Sequence, residues 1–424
     1  MAGTPLHDRS AFRLVSGLWK GARKPLKPAN VVRSTNFRGD GVLDFSDVVE
    51  LPVEERLFEE RALQPGDIVI ERSGGGPKQP VGRVAYFSPP DDATYFTSNF
   101  TTALRVLDRT QFDPAFVALY LHALYLDGRT ETLQRATTGI RNLDWQEYLS
   151  FEVPALPLQS QSAFASLIDG VRSAYRRELD LFQATGELKK SLMAELFAGG
   201  LKGEGQKQTA IGLMPNSWQP RSLPELCSIQ SGGTPRKSNP AYWRGDIPWV
   251  SGKDLKLPAL DDAEDHVTAE AIQAGSRLVP KGTVLLLVRG MGLAKDLPVA
   301  VINREMAFNQ DIKALVPKGE FSGAFIRSAI YAGKERLLSQ IVPSAHGTMT
   351  LNLNDVENFQ IACPADPDEA TEIAEILGAL DAKIELHRKK RRVLEELFKA
   401  LLHKLMTGEI DVNDLDLSAL QPAT

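Results

Sequence analysis

The densest run of chemically capable side chains lies between Ser231 and Leu255, "SGGTPRKSNPAYWRGDIPWVSGKDL". Arg236, Lys237, Arg244 and Lys253 are cations there, Ser251 brings a hydroxyl, and Tyr242, Trp243 and Trp249 bring flat faces, all on backbone broken by glycine and proline. Cations beside glycine turns suit phosphate, because bare N–H groups and a side-chain cation can reach the same oxygens. Arg, Lys, Asn, Gln and Ser also suit base edges in a major groove. The aromatics admit two readings, as platforms for bases or as anchors that fasten an irregular loop to a core. Both demands are met if the rings face inward and the cations outward.

Catalytic patterns are missing. "SGGGPKQP" has glycines and a lysine, but not the spacing of a P-loop, and no glycine fingerprint opens a βαβ unit. "DPAF" (113–116) and "NPAY" (239–242) faintly resemble the tetrapeptide of amino-methyltransferases, with Ala where a second Pro belongs and no cofactor glycine motif beside them. No G-x-S-x-G or HExxH occurs. Two cysteines and six scattered histidines match no metal-ligand spacing.

The elements that must position these residues come twice. "LQPGDIVIERSGGGPKQPVGRVAYF" starts at Leu63 and "LVPKGTVLLLVRGMGLAKDLPVAVI" at Leu278. Gly66 aligns with Gly282, and Gly74 and Gly76 with Gly290 and Gly292. Each reads as a turn, a strand, a glycine-rich loop with cations, then a second strand. "TSNFTTALRV" parallels "AFNQDIKALV", setting Asn99 against Asn309. "TTGIRNLDWQEYLSFEVP" parallels "HGTMTLNLNDVENFQIACP", setting Asn142-Leu143 against Asn352-Leu353. The loops thus offer Arg72, Ser73 and Lys78 in one half and Arg289 and Lys295 in the other, with Asn99, Asn309 and Gln310 on a second shared motif.

A long helical pattern follows each copy. From Asp366, with Pro367 at N1 and Glu369 at N3 of a capping box, Ile373, Leu377, Leu380, Ile384, His387, Arg391, Leu394, Phe398, Leu401 and Leu405 step by four and three, and Gly408 supplies a stop. The span of about 40 residues predicts a helix of roughly 60 Å. Phe164, Ile168, Val171, Tyr175, Phe182, Leu192 and Leu196 carry a similar seam, with Glu178, Thr185 and Lys189 at its weaker positions. Two matching seams predict antiparallel pairing. The fold class is therefore α/β (α+β), two repeated domains separated by two long helices in an antiparallel coiled coil. The segments are 1–157, 158–200, 201–365, 366–410 and a tail at 411–424, with "GGLKGEGQKQTAIG" as a glycine-rich linker between the halves.

With 424 residues the chain can hold two or three cores. Its net charge of −5 does not advertise a polyanion binder, but from Arg9 to Arg38 there are eight Arg or Lys and no acid, while acid gathers in "DVVELPVEERLFEE". No apolar run is long enough to span a bilayer and no signal peptide is evident, so a cytoplasmic, non-membrane protein is expected.

"GGTPRKSNPAYWRGDIPWVSGKDL" resembles the start of a target recognition domain in the specificity subunits of type I restriction–modification enzymes. "HGTMTLNLNDVENFQIACP" and the helix after it are similar to that domain's end and its spacer helix. In the first half "VVRSTNF" stands where "IPWVSGKDL" stands, adding Arg33 and Asn36 to the candidates, while "GARKPLKPAN" replaces the Gly-Thr-Pro loop. The resemblance implies a non-catalytic DNA-binding subunit. Each domain would read one half of a bipartite, asymmetric site on double-stranded DNA. The paired helices would act as a ruler and as a dock for two methyltransferase (M) subunits, joined by nuclease–translocase (R) subunits. S-adenosylmethionine, ATP and Mg would belong to those partners, with no cofactor in this chain. A coiled-coil interaction scaffold and a stand-alone DNA methyltransferase are the competing readings.

Overall fold

The computed structural model describes residues 3–18, 23–76, 79–137, 140–343 and 347–407. The chain divides into two compact units, Met1–Glu178 with Lys390–Thr424, and Leu179–Lys389. The sequence sets each long helix apart as its own segment. Compactness instead divides each helix between the two units.

In the first unit an antiparallel sheet runs in the order Phe12–Ser16, Thr101–Val106, Ile68–Glu71, Val84–Tyr86. A second sheet orders Val49–Glu54, Leu26–Val32 and Tyr95–Thr97, the last pair parallel. Helix α1 (Pro114–Leu126) covers the first sheet. It starts where Pro114 takes the first turn and Asp113 Oδ1 accepts from Ala115 N at 2.9 Å. Phe116, Val117 and Leu121 of α1 pack with Ile68, Ile70 and Leu104 in one core. Helix α2 (Leu158–Gly199) begins in this unit.

The second unit repeats this plan. One sheet orders Cys227–Ser231, Ile312–Pro317, Val284–Leu287, Val299–Ile302 and Ala259–Leu260. The other orders Asp265–Val267, Ile247–Val250, Met306–Phe308 and Leu278–Val279, again with one parallel pair at the centre. Helix α3 (Gly323–Ala332) takes the place of α1, capped by Ser322 Oγ accepting from Phe325 N at 3.2 Å. The apolar runs Ile68–Ile70 and Val284–Leu287 are buried on both faces, which is why they read as unbroken hydrophobic strands.

Helix α4 (Pro367–Thr407) pairs with α2 along the seams the sequence marks. In the first unit Phe164, Ile168 and Val171 share a core with Leu394, Phe398 and Leu401, and Arg391 donates to the Tyr175 hydroxyl at 3.2 Å. In the second unit Met193, Leu196 and Phe197 share a core with Ala370, Ile373 and Leu377, and Lys189 binds Asp381. Residue number rises on one helix as it falls on the other, so the pair is antiparallel. The side chain of Leu405, together with Gly408 and the segment 411–424, lies outside the described residues.

Two local expectations change. Asp366 does cap α4, its Oδ1 accepting from Asp368 N at 3.0 Å, but Glu369 turns away from the cap to accept from Leu201 N at 2.9 Å. The glycine-rich segment after α2 is not a loose linker. Gln206–Thr209 and Gly212–Pro215 form an antiparallel hairpin, with Met214 and the following Trp218 fully buried. Those two apolar anchors outweigh the flexibility that the glycine content suggests.

Candidate nucleic-acid interface

In each unit, separate loops are fastened to one turn by main-chain bonds. In the second unit the turn is 309–311. Val288 N and Arg289 N both donate to Asp311 O, at 2.8 and 3.2 Å, which attaches the glycine-rich loop. Asn309 N donates to Val250 O at 3.0 Å, which attaches the strand leading to Ser251. Gly233 N donates to Phe308 O at 3.0 Å and Thr234 Oγ1 to Gln310 Oε1 at 2.5 Å, which attaches the loop bearing Arg236 and Lys237. The first unit does the same at 98–100. Arg72 N and Ser73 N donate to Phe100 O at 2.8 and 3.2 Å, Ser98 N to Val32 O at 2.9 Å, and Leu18 N to Thr97 O at 2.7 Å. The approach is close enough to demand glycine. A Cβ on Gly17 would stand 1.8 Å from Ser98 O, and one on Gly232 would stand 2.3 Å from Asn309 O. Neither role is announced by spacing.

These bonds fix which residues correspond. Phe100 O and Asp311 O receive equivalent donors, so Asn99 stands with Gln310, and Asn309 stands with buried Ser98. The sequence pairing of Asn99 with Asn309 is one residue out. Leu143 N donates to Arg72 O and Leu351 N to Val288 O, both at 2.8 Å. Asn142-Leu143 therefore matches Thr350-Leu351, not Asn352-Leu353, and Asn352 instead stands at the N-cap position of a short helix where Asp144 stands in the first unit, though only Asp144 accepts a main-chain bond there. The repeated asparagines drew both alignments off register. Ser73 corresponds to Arg289 and Arg72 to Val288, so the glycine loops share glycines but not cations. Gly74 and Gly290 hold that turn at φ 111° and 146°.

The candidate side chains separate into exposed and committed groups, with Gln310 both exposed and bonded to Thr234. Arg236, Lys237, Arg289, Lys295, Asn99 and Gln310 are exposed. Asn36 is buried. Its Oδ1 accepts from Arg33 N at 2.8 Å and its Nδ2 donates to Asp44 O and Asp47 O, so it shapes its loop from within. The second unit solves the same loop with Asp254, whose Oδ2 accepts from Ser251 N at 2.8 Å and from Ser251 Oγ at 3.0 Å. Asn309 is also buried, bonded to Asp311 through both its amide nitrogen and oxygen. Ser73 Oγ is bonded to Asn142. Arg33 reaches Asp47 at 3.4 Å. Lys253 is held between Asp265 (2.9 Å) and Glu264 (3.0 Å), and those bonds raise its pKa above the lysine range. Arg72 is half-buried, its guanidinium 4.6 Å from the centre of the Trp145 ring, and burial lowers its pKa. Lys78 lies outside the described residues.

The aromatics of the 231–255 segment are anchors. Trp243 and Trp249 meet edge to face at 5.0 Å, and Trp249 Nε1 donates to Gly233 O at 3.1 Å, while Arg236, Lys237 and Arg244 stay exposed. The charge segregation seen along the chain is offset in part in space. Lys27 pairs with Glu55, Arg33 with Asp47, and Arg38 with Asp44 at 2.9 Å, so acid from the neighbouring segment answers the basic N-terminal run. Both cysteines are buried and free, and burial pushes their thiols up to about 12. Among the described residues no helix is long and apolar enough to cross a membrane.

Residues 215–396 match the family model described as type I restriction modification DNA specificity domain. Over 204 residues the chain is 30% identical to the specificity subunit of type I restriction enzyme MjaIX from Methanocaldococcus jannaschii, covering 46% of this chain and 45% of the relative. Over 213 residues it is 28% identical to the EcoR124I/EcoR124II specificity subunit of Escherichia coli, covering 50% and 52%. The chain thus spans about half the length of these curated relatives. The crystal structure of the type I restriction–modification S subunit from M. genitalium shares the fold, with a TM-score of 0.60 at 17% identity over 95% of this chain and 98% of that one. Family model, relatives and fold all agree with the resemblance carried by the sequence motifs.

Proposed function

We propose that the chain is a sequence-specific DNA-binding specificity subunit of a type I restriction–modification enzyme. Each unit reads one half of a bipartite, asymmetric site, and the long helices shared by both units set the number of base pairs between the halves. Two methyltransferase (M) subunits and nuclease–translocase (R) subunits dock on the chain and hold S-adenosylmethionine, ATP and Mg, while the chain itself performs no catalysis. The work is done on double-stranded DNA in the cytoplasm. One observation carries the reading: two units of the same fold each gather separate loops onto one turn. In the second unit this leaves Arg236, Lys237, Arg289 and Gln310 exposed around that turn.

The host methylome, compared with that of a strain lacking this chain, tests it. A single split motif should lose its methylation, and an unchanged methylome would sink the proposal. Reversing charge at Arg236 and Lys237 together, and at Arg289 and Lys295 together, should weaken binding of the assembled complex to that site. Each lost phosphate contact should flatten the salt slope by about 0.9. Full affinity in both variants would favour a protein-interaction scaffold.

A further inference from the structure

The first unit has a cleft of about 690 Å³ away from the loop-gathering turn, lined by the loop 38–45, α1 and α2. Arg172 and Arg176 of α2, Arg38, Gly41 and Tyr86 are among its walls. Nε of Arg172 and Nε of Arg176, two residues of this wall, have no hydrogen-bond partner among the described residues, and neither do the ring nitrogens of His122 or Oδ1 of Asp40 packed beside the wall. His122 is only 3% exposed and Arg172 only 8%. Buried polar groups are almost always satisfied, so two guanidinium groups short of partners on one cavity wall point to something that belongs there.

The cluster is built. Gly41 sits at φ +78°, and a Cβ there would stand 2.8 Å from Arg172 Nη2 and 3.1 Å from the His122 ring. Glycine at this position makes room for the guanidinium and the imidazole. Arg172 lies over the Phe398 ring at 5.3 Å, which fixes its plane without neutralising it. Its neighbour Arg176 reaches Asp40 Oδ2 at 3.3 Å, and Arg38 is engaged by Asp44. Asp113 lines the cleft but is spent on capping α1 and on Ser162, and Asp169 is exposed. Among the described residues Arg38 and Arg176 are ion-paired, whereas Arg172 forms no ion pair and feels Asp40 and Asp169 only at longer range. Burial and the adjacent Arg172 cation hold His122 neutral, with a pKa of about 3, so it can donate from one nitrogen and accept at the other.

The corresponding position in the second unit shows the contrast. The caps Asp113 and Ser322 align α1 with α3, which puts Tyr331 where His122 stands. The Tyr331 hydroxyl donates to Asp296 at 2.8 Å and accepts from Lys334 at 3.0 Å. The second unit thus satisfies the residue at this helix position, whereas the His122 nitrogens have no partner among the described residues.

We infer that the cleft at Arg172 and Arg176 binds a small oxyanion, phosphate or carboxylate. A planar guanidinium offers parallel N–H donors to such a group. The test is calorimetric titration of the full chain with inorganic phosphate, with acetate, and with chloride at matched ionic strength. Saturable one-to-one binding of phosphate or acetate, absent with chloride, is expected. Binding of phosphate alone assigns a tetrahedral ligand; binding of both assigns the shared oxyanion chemistry. Affinity should fall at least tenfold in Arg172→Gln and less in Arg172→Lys. If Arg172→Gln does not fold by circular dichroism, Arg176→Gln, at a more exposed position, carries the test with an expected loss of several fold. No saturable heat with either oxyanion, or equal affinity in wild type and the folded Gln variants, overturns the inference.

Discussion

The two units share strand order, turn and helix placement, yet they hold equivalent positions with different chemistry. In the first, Asp67 and Arg105 form a buried bidentate pair at 2.8 Å, and Glu71 and Arg83 form another. Strand register places Thr283 and Val316 at the first pair and Leu287 and Pro298 at the second. One backbone therefore tolerates ionic or uncharged cross-strand solutions. A buried pair gains little over a well-packed apolar one, because desolvation consumes most of the attraction, but half a pair is costly. The comparison teaches that scaffold and interior can diverge separately, provided both partners change together.

The largest effect should come from dividing such a pair. Arg105→Val alone strands the Asp67 carboxylate and should cost about 3–5 kcal/mol in denaturant unfolding. Adding Asp67→Thr, which imports the second unit's solution, should recover most of that. A double variant no better than the single would break the equivalence. Next, Gly17→Ala and Gly232→Ala each force a Cβ onto a turn carbonyl, and each should cost about 2–3 kcal/mol. A marked difference between the two would show that the shared turn is not equally tight. Arg72→Val copies Val288, so it should leave the melting temperature nearly unchanged yet cost the assembled complex roughly 1–3 kcal/mol of discrimination at one half-site. Unaltered discrimination would remove Arg72 from the reading surface. The smallest effect concerns Asp44, whose bonds from Ser46 and then Arg38 bring its pKa down to about 2. That folded value lies below the ordinary 3.8, so its stabilisation is complete above about pH 4 and disappears as pH falls toward 2. The residue is mostly solvated, so Asp44→Asn should cost less than about 1 kcal/mol at neutral pH and flatten the acid limb of the unfolding curve.

The parts of this fold governed by local rules could be read from the chain. The seams of α2 and α4 appear as four/three spacing, the start of α4 as Asp-Pro, and the duplicated strands as apolar runs after Gly66 and Gly282. What failed depends on distance in space. Lys27, Arg33 and Arg38 look like a basic run until the turn carrying Glu55 and the loop carrying Asp44 and Asp47 fold beside it. Asn36 and Asn309 have the right side chain for a base edge, but burial turns both into loop braces. The one- and two-residue slips in the repeat arose because asparagine recurs near both turns, whereas the hydrogen bonds that define equivalence are made by backbone and leave no letter in the sequence.

That last point reaches beyond alignment. The gathering turn grips its neighbours chiefly through peptide groups, which every amino acid possesses. Exchanging the letters at Gln310, Arg289 or Arg236 leaves those clasps in place. If the proposed function holds, such a module can acquire a new taste in DNA by changing its fingertips while its knuckles stay put.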